Sequence, residues 1–171
     1  MKWHVFLSLA MVSLILGAGC GEGEDHDHQA HEERSTEEEA CSHAQDSPTT
    51  LAASTGIAGA SADVSQGHTL YEVTLNETEV GSGEYRGYLI FEAPGHADYV
   101  IFTSSAVELS VLTSADVALE TRVSEVDGCV ELMQAHRVSL DAQRYVIELG
   151  SAGEPTLSLI IESEAHDHDH D

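Results

Sequence analysis

The chain has very little positive charge. Six Lys and Arg stand against 31 Asp and Glu, a formal net charge of −25 over 171 residues. Nucleic-acid binding needs clustered Lys and Arg to meet phosphates, so this balance argues against that partner and favours cations. Aromatic residues are also scarce, at 5%, so a core must come from Val, Leu, Ile and Ala. No apolar helical period is sustained over about 12 residues inside the central region. Catalytic signatures are missing too. There is no G-x-S-x-G, no H-E-x-x-H and no glycine-rich phosphate loop, and no acid or serine pair is singled out by its spacing. A non-enzymatic role is the expectation.

What is present begins with a leader. Lys2 supplies its charge, Val5 to Leu16 form a short apolar run, and Gly17-Ala18-Gly19 precede Cys20. This layout predicts an export signal over residues 1–19, too short for a comfortable membrane span. A cysteine straight after small residues resembles the bacterial lipoprotein signal, in which that cysteine is lipidated. Here Leu16 stands four residues before Cys20, and Gly17 occupies the place the usual motif gives to a large aliphatic residue. The expectation is a cell-envelope protein, facing the outer membrane or periplasm and held to the membrane by a lipid anchor on Cys20. The alternative is ordinary secretion with Cys20 as a spare thiol.

Residues 20–46 read as a disordered arm. His26, His28 and His31 alternate with acids, Glu37-Glu38-Glu39 follow, and almost nothing apolar offsets the entropy of ordering. Glu37 to Glu39 can begin a short helix, but one that is marginal in isolation. From residue 47 to 163 the pattern changes to period two. Tyr71, Val73 and Leu75 alternate with polar residues, as do Tyr85, Leu89 and Phe91 after the Gly81-Ser82-Gly83 break. Tyr99 to Phe102, Val107 to Val111, Val117 to Leu119, Val138 to Leu140, Tyr145 to Leu149 and Leu157 to Ile161 complete the series. Short strands with Gly, Pro, Asp and Ser punctuation predict an all-β fold, a single antiparallel, jelly-roll-like β-sandwich. Residues 164–171 return to the theme of the first arm, with His166, His168 and His170 interleaved with Asp.

The histidines carry the chemical expectation. Alternating His and Asp places imidazoles on one side of an extended chain and carboxylates on the other. Neutral imidazole is a ligand for zinc, copper and nickel, and nearby carboxylates concentrate cations or orient the rings. The arm set His26, His28, His31, His166, His168 and His170 is therefore expected to bind several divalent ions weakly. The competing reading is a solvated acidic tail, or a proton sensor.

Inside the central region, Cys41 and Cys129 are the two remaining cysteines. In an oxidising compartment they are expected to pair; the alternative makes both thiolates of a Cys/His zinc site. Read as extended backbone, Cys41-Ser42-His43 points its first and third side chains the same way. His136 shares parity with Val138 and Leu140 and so faces the core. It is either a hydrogen-bonded core imidazole or one of a ligand trio with His43 and His68. Three imidazoles with a water or carboxylate suit tetrahedral zinc. His68 has opposite parity to Tyr71, Val73 and Leu75, so joining that trio requires a bulge or the freedom of Gly67. His96, after Pro94-Gly95, reads as an exposed turn residue.

Glu39-Ala40-Cys41-Ser42-His43, His68-Thr69-Leu70-Tyr71, and Cys129 with Ala135-His136-Arg137-Val138 resemble a group of poorly characterised exported bacterial lipoproteins. Those have acidic His-rich ends and one small β-sandwich. The strands from Tyr85 to Leu112 are similar to the non-catalytic β-sandwich appended to secreted bacterial peptidases. The resemblance covers about residues 39–163 and implies metal handling without naming a reaction. The arms also resemble the His-rich loop of zinc-uptake solute-binding proteins, whose two-lobed α/β fold this chain is too short to form. The expected function is binding of divalent metal, zinc first, as a buffer or donor to an importer. The rivals are a surface interaction or adhesion module with solubilising arms, and a periplasmic copper or nickel chaperone.

Overall fold

The computed structural model describes residues 34–164. Within them the chain is mostly strand, with one short helix. In chain order the elements are α1 (Thr36–His43), β1 (Thr49–Ala52), β2 (Tyr71–Thr74), β3 (Asn76–Glu77), β4 (Tyr85–Glu92), β5 (Ala97–Thr103), β6 (Glu108–Leu112), β7 (Arg122–Glu125), β8 (Gln134–Leu140), β9 (Arg144–Ala152) and β10 (Thr156–Ser163). A short 3-10 turn at Ile57–Gly59 lies between β1 and β2. No described helix is long and apolar enough to cross a membrane.

The strands form two sheets, one ordered β1-β2-β10-β5-β8-β7 and the other β3-β4-β9-β6. All named pairs are antiparallel except β1 with β2. The all-β sandwich expected from alternation is therefore the observed fold. Alternation also explains the core. Tyr71, Val73, Tyr99, Ile101, Val138, Leu140, Leu157, Leu159 and Ile161 point inward from the larger sheet. They meet Leu89, Phe91, Leu109, Val111, Tyr145, Ile147 and Leu149 of the smaller one. Burying each such side chain contributes roughly 1.5–3 kcal/mol relative to exposure.

The larger sheet has a second covered face. Val100, Phe102, Ala135 and Ile160, out of phase with the inner set, pack with Leu70, Leu132 and the fully buried Ala40 of α1. This is why β5 carries the unbroken run Tyr99-Val100-Ile101-Phe102: a strand covered on both sides has no solvent face to leave polar. Here the expected arm of 20–46 is corrected, because residues 36–43 are helix. Eight residues alone would not hold a helix. Three attachments supply what is missing. Ser35 and Glu38 form a reciprocal capping box, each backbone N–H reaching the other's side-chain oxygen at 3.2 Å. Cys41 lies at disulfide distance from Cys129, with a Cα–Cα separation of 5.8 Å. Glu37 accepts from Arg137 Nη2 at 2.7 Å, and the same guanidinium reaches Glu164 at 3.1 Å and Ser124 at 2.8 Å. Arg137 thus ties the helix to β7, β8 and the residue after β10.

Two strand assignments differ from expectation. Val117 to Leu119 is not a named strand; Ala118 makes an isolated bridge to Leu112, and Asp116 adopts a left-handed φ of 57°. β7 was not expected, because all four of its residues are exposed and no apolar alternation marks it. It forms as an edge, through its backbone pairing with β8.

Candidate metal centre

The outer face of the larger sheet, where α1 ends, gathers two imidazoles and two carboxylates. Helix geometry supplies the first pair. Glu39 and His43 are four residues apart, so they share one side of α1. The same geometry corrects the reading of Cys41 and His43. Two residues along a helix turn roughly 200°, so Cys41 is free to bond Cys129 while His43 points elsewhere. The Nδ1 of His43 lies 3.0 Å from Asp46 Oδ2. With Nδ1–H donating to that carboxylate, Nε2 keeps its lone pair for a cation, a common support for histidine ligands.

His68 and Glu162 come from the sheet. His68 stands three residues before β2 with a left-handed φ of 55°, uncommon for a residue with a side chain. The turn there, rather than strand alternation, sets its direction, and its contact with Glu162 places it on the outer face. No inward bulge is needed, because the partners are outside. The rings of His43 and His68 have centroids 5.4 Å apart, inclined at 49°. One donor atom from each of Glu39, His43 and His68 lies within 4.8 Å of the others.

Glu162 sits beneath them. It pairs in register with Val100, so it shares the outer face with Val100 rather than the core face with Ile161. Its side chain is 1% exposed, against 56% for His68 and 42% for Glu39. Oε2 lies 2.7 Å from His68 Nδ1, yet neither carboxylate oxygen has a hydrogen-bond partner among the described residues. The approach is close in distance but not along a ring N–H. Burial pushes the Glu162 carboxyl up and the charge of Glu39 adds to this, while His68 and His43 pull it down. A buried carboxylate without hydrogen bonds is costly unless a cation compensates it.

The expected trio of His43, His68 and His136 does not converge. His136 is cross-strand to Ile101 on β5 and Val123 on β7, which places it on the inner face, with the sheet between it and the other two. It is 1% exposed, both ring nitrogens lack hydrogen-bond partners among the described residues, and burial lowers its pKa from 6.5 to about 4. It is a neutral core imidazole, and not the hydrogen-bonded one expected. His96 is the exposed turn residue anticipated, with Nδ1 2.9 Å from Asp141. The arm histidines His26, His28, His31, His166, His168 and His170, and Cys20, lie outside the described residues.

Glu39 and Glu162 were missed in the sequence. For Glu39 the signal was S-x-x-E at Ser35 to Glu38, which starts a helix and sets Glu39 and His43 on one side. For Glu162 it was an acid closing the apolar run Leu157 to Ile161, in phase with Ile160 and the outer layer. A larger hollow elsewhere, lined by Asp98, Arg122, Arg137 and Glu164, offers less, because Arg137 is already committed to Glu37 and Glu164. No protein-family model matches the chain, and neither does any curated protein.

Proposed function

We propose that the protein is an exported, lipid-anchored binder of divalent transition metal, zinc first, acting at the cell envelope as a buffer or as a donor to an importer. The observation that carries this reading is the convergence of His43, His68 and Glu39 on one exposed face. These residues come from a helix and from the approach to a strand. Imidazole nitrogen and carboxylate oxygen form a donor set suited to zinc, and copper and nickel take the same imidazoles. The net charge of −25 draws cations toward the surface. The six arm histidines add capacity, and the folded site adds a preorganised position.

Zinc stoichiometry by equilibrium dialysis tests this. The full chain is expected to bind more than one ion. Alanine at all six arm histidines leaves one, and a further His68→Ala removes it. Binding no greater than that of an unrelated acidic protein would end the proposal.

A further inference from the structure

Resting on that metal-binding reading, we infer that Glu162 joins Glu39, His43 and His68, whose donor atoms lie within 4.8 Å of one another, as a fourth protein ligand that shifts toward them from its contact with His68. The site is then a closed set of two imidazoles and two carboxylates. Three observations lead there. First, Glu162 and Glu39 approach the same atom, His68 Nδ1, at 2.7 and 3.4 Å. One ring nitrogen carries at most one proton, so it cannot donate to both. Second, the deeper carboxylate is sealed from water at 1% exposure, and although Oε2 lies 2.7 Å from His68 Nδ1, no well-aligned hydrogen bond reaches either oxygen among the described residues. Buried polar groups are almost always paired, and each exception asks for an explanation such as an ion. Third, the charges balance. Two carboxylates and one divalent cation sum to zero, the condition under which burying Glu162 ceases to be costly.

The donor set then fixes the class of metal. Two nitrogens and two oxygens from four side chains match a four-coordinate borderline ion such as zinc or cobalt(II), and not copper(I), which prefers sulfur. Four protein ligands leave no open position, the arrangement of holding sites rather than of catalytic ones. Glu162 forms the floor, and Glu39 and His43 close over it from α1. Metal binding therefore also fastens the helix to the sheet.

The test uses the full chain carrying alanine at the six arm histidines, with zinc affinity measured by competition against a chelator. Glu162→Gln is expected to weaken zinc by about 100-fold or more, at or beyond the upper end seen for loss of a supporting residue. Metal-free Glu162→Gln should melt at the same temperature as its parent or higher, since a buried charge has been removed. A merely structural Glu162 would instead destabilise the metal-free protein when replaced. The cobalt(II)-loaded parent, needing no substitution at Glu162, should show the intense visible absorption of four-coordinate cobalt. Zinc affinity within threefold of the parent in Glu162→Gln, or the weak spectrum of six-coordinate cobalt, overturns the inference. His68→Ala separates the two levels. If it abolishes binding while Glu162→Gln does not, the site stands and its fourth ligand is wrong. If neither variant loses zinc, the folded site is not built on His68 and Glu162 and the inference falls, whereas a parent that binds no zinc above an unrelated acidic protein ends the metal-binding reading itself.

Discussion

The two faces of the larger sheet treat histidine in opposite ways. On the inner face His136 is buried, without charge and without a hydrogen bond among the described residues. On the outer face His43 and His68 meet two carboxylates under a short helix. The strands are shared and the cover differs. A second sheet brings only apolar side chains to its face, so a polar group there is tolerated only when neutral. A short acidic helix brings charge as well as Ala40, so its face can gather ions. Burial alone does not make a histidine a ligand; what lies across from it does.

The largest break in this comparison is expected from detaching the helix. Cys41→Ser removes a link across a sequence separation of 88 residues, which the chain-entropy argument values at about 4–5 kcal/mol. Urea denaturation should show that loss. Zinc affinity should fall with it, because Glu39 and His43 leave the sheet together. Unchanged zinc affinity in Cys41→Ser would mean that α1 docks without the link.

The inner face is tested next, by pH. The His136 pKa is lowered, so the folded state resists its protonation while the unfolded chain accepts the proton near 6.5. Between those values the unfolded state binds more protons, so stability rises with pH there. The contribution is fully present above pH 6.5 and is lost as pH falls to about 4, roughly 3 kcal/mol in all. Chemical denaturation across that range should show the slope. His136→Leu should flatten it and be neutral or stabilising at pH 7, because it removes two unsatisfied nitrogens. A slope that survives His136→Leu would assign the titration to another group.

The faces separate most directly in ligand binding. His43→Ala should weaken zinc by about 100-fold, near 2.7 kcal/mol, with little change in melting temperature. His136→Leu should leave zinc affinity unchanged. The reverse pattern would move the site inside the sandwich.

The smallest effect belongs to Arg137. Its guanidinium joins Glu37, Glu164 and Ser124 but is 32% exposed, so Arg137→Ala should cost only about 1 kcal/mol. A several-fold loss of zinc affinity by calorimetry would accompany it if the clamp helps to seat α1.

Much of the inner face was legible in the sequence. Period-two runs such as Tyr71, Val73 and Leu75 identify a sandwich because alternation in a strand maps directly onto inside and outside. The inward direction of His136 followed from Val138 and Leu140. Parity says little about His68, because it stands in a turn before β2 with a left-handed φ, and its partners lie on the outer face and not in the core. The outer face was harder. Helix α1 has too few residues to announce itself by period, and its stability comes from Cys129 and Arg137, far along the chain. β7 has no buried residue to mark it.

By itself, then, the sequence determined the acidic surface, the histidine supply, the two-layer β architecture and which side chains fill its centre. These depend on composition and on neighbours one or two residues apart. The tertiary structure decided that Thr36–His43 is helix, that His136 stands apart, and that Glu39, His43, His68 and Glu162 share one site. That choice required elements from both ends of the described chain to come together. Local pattern carries no record of such a meeting until the sheet has formed and the helix has docked upon it.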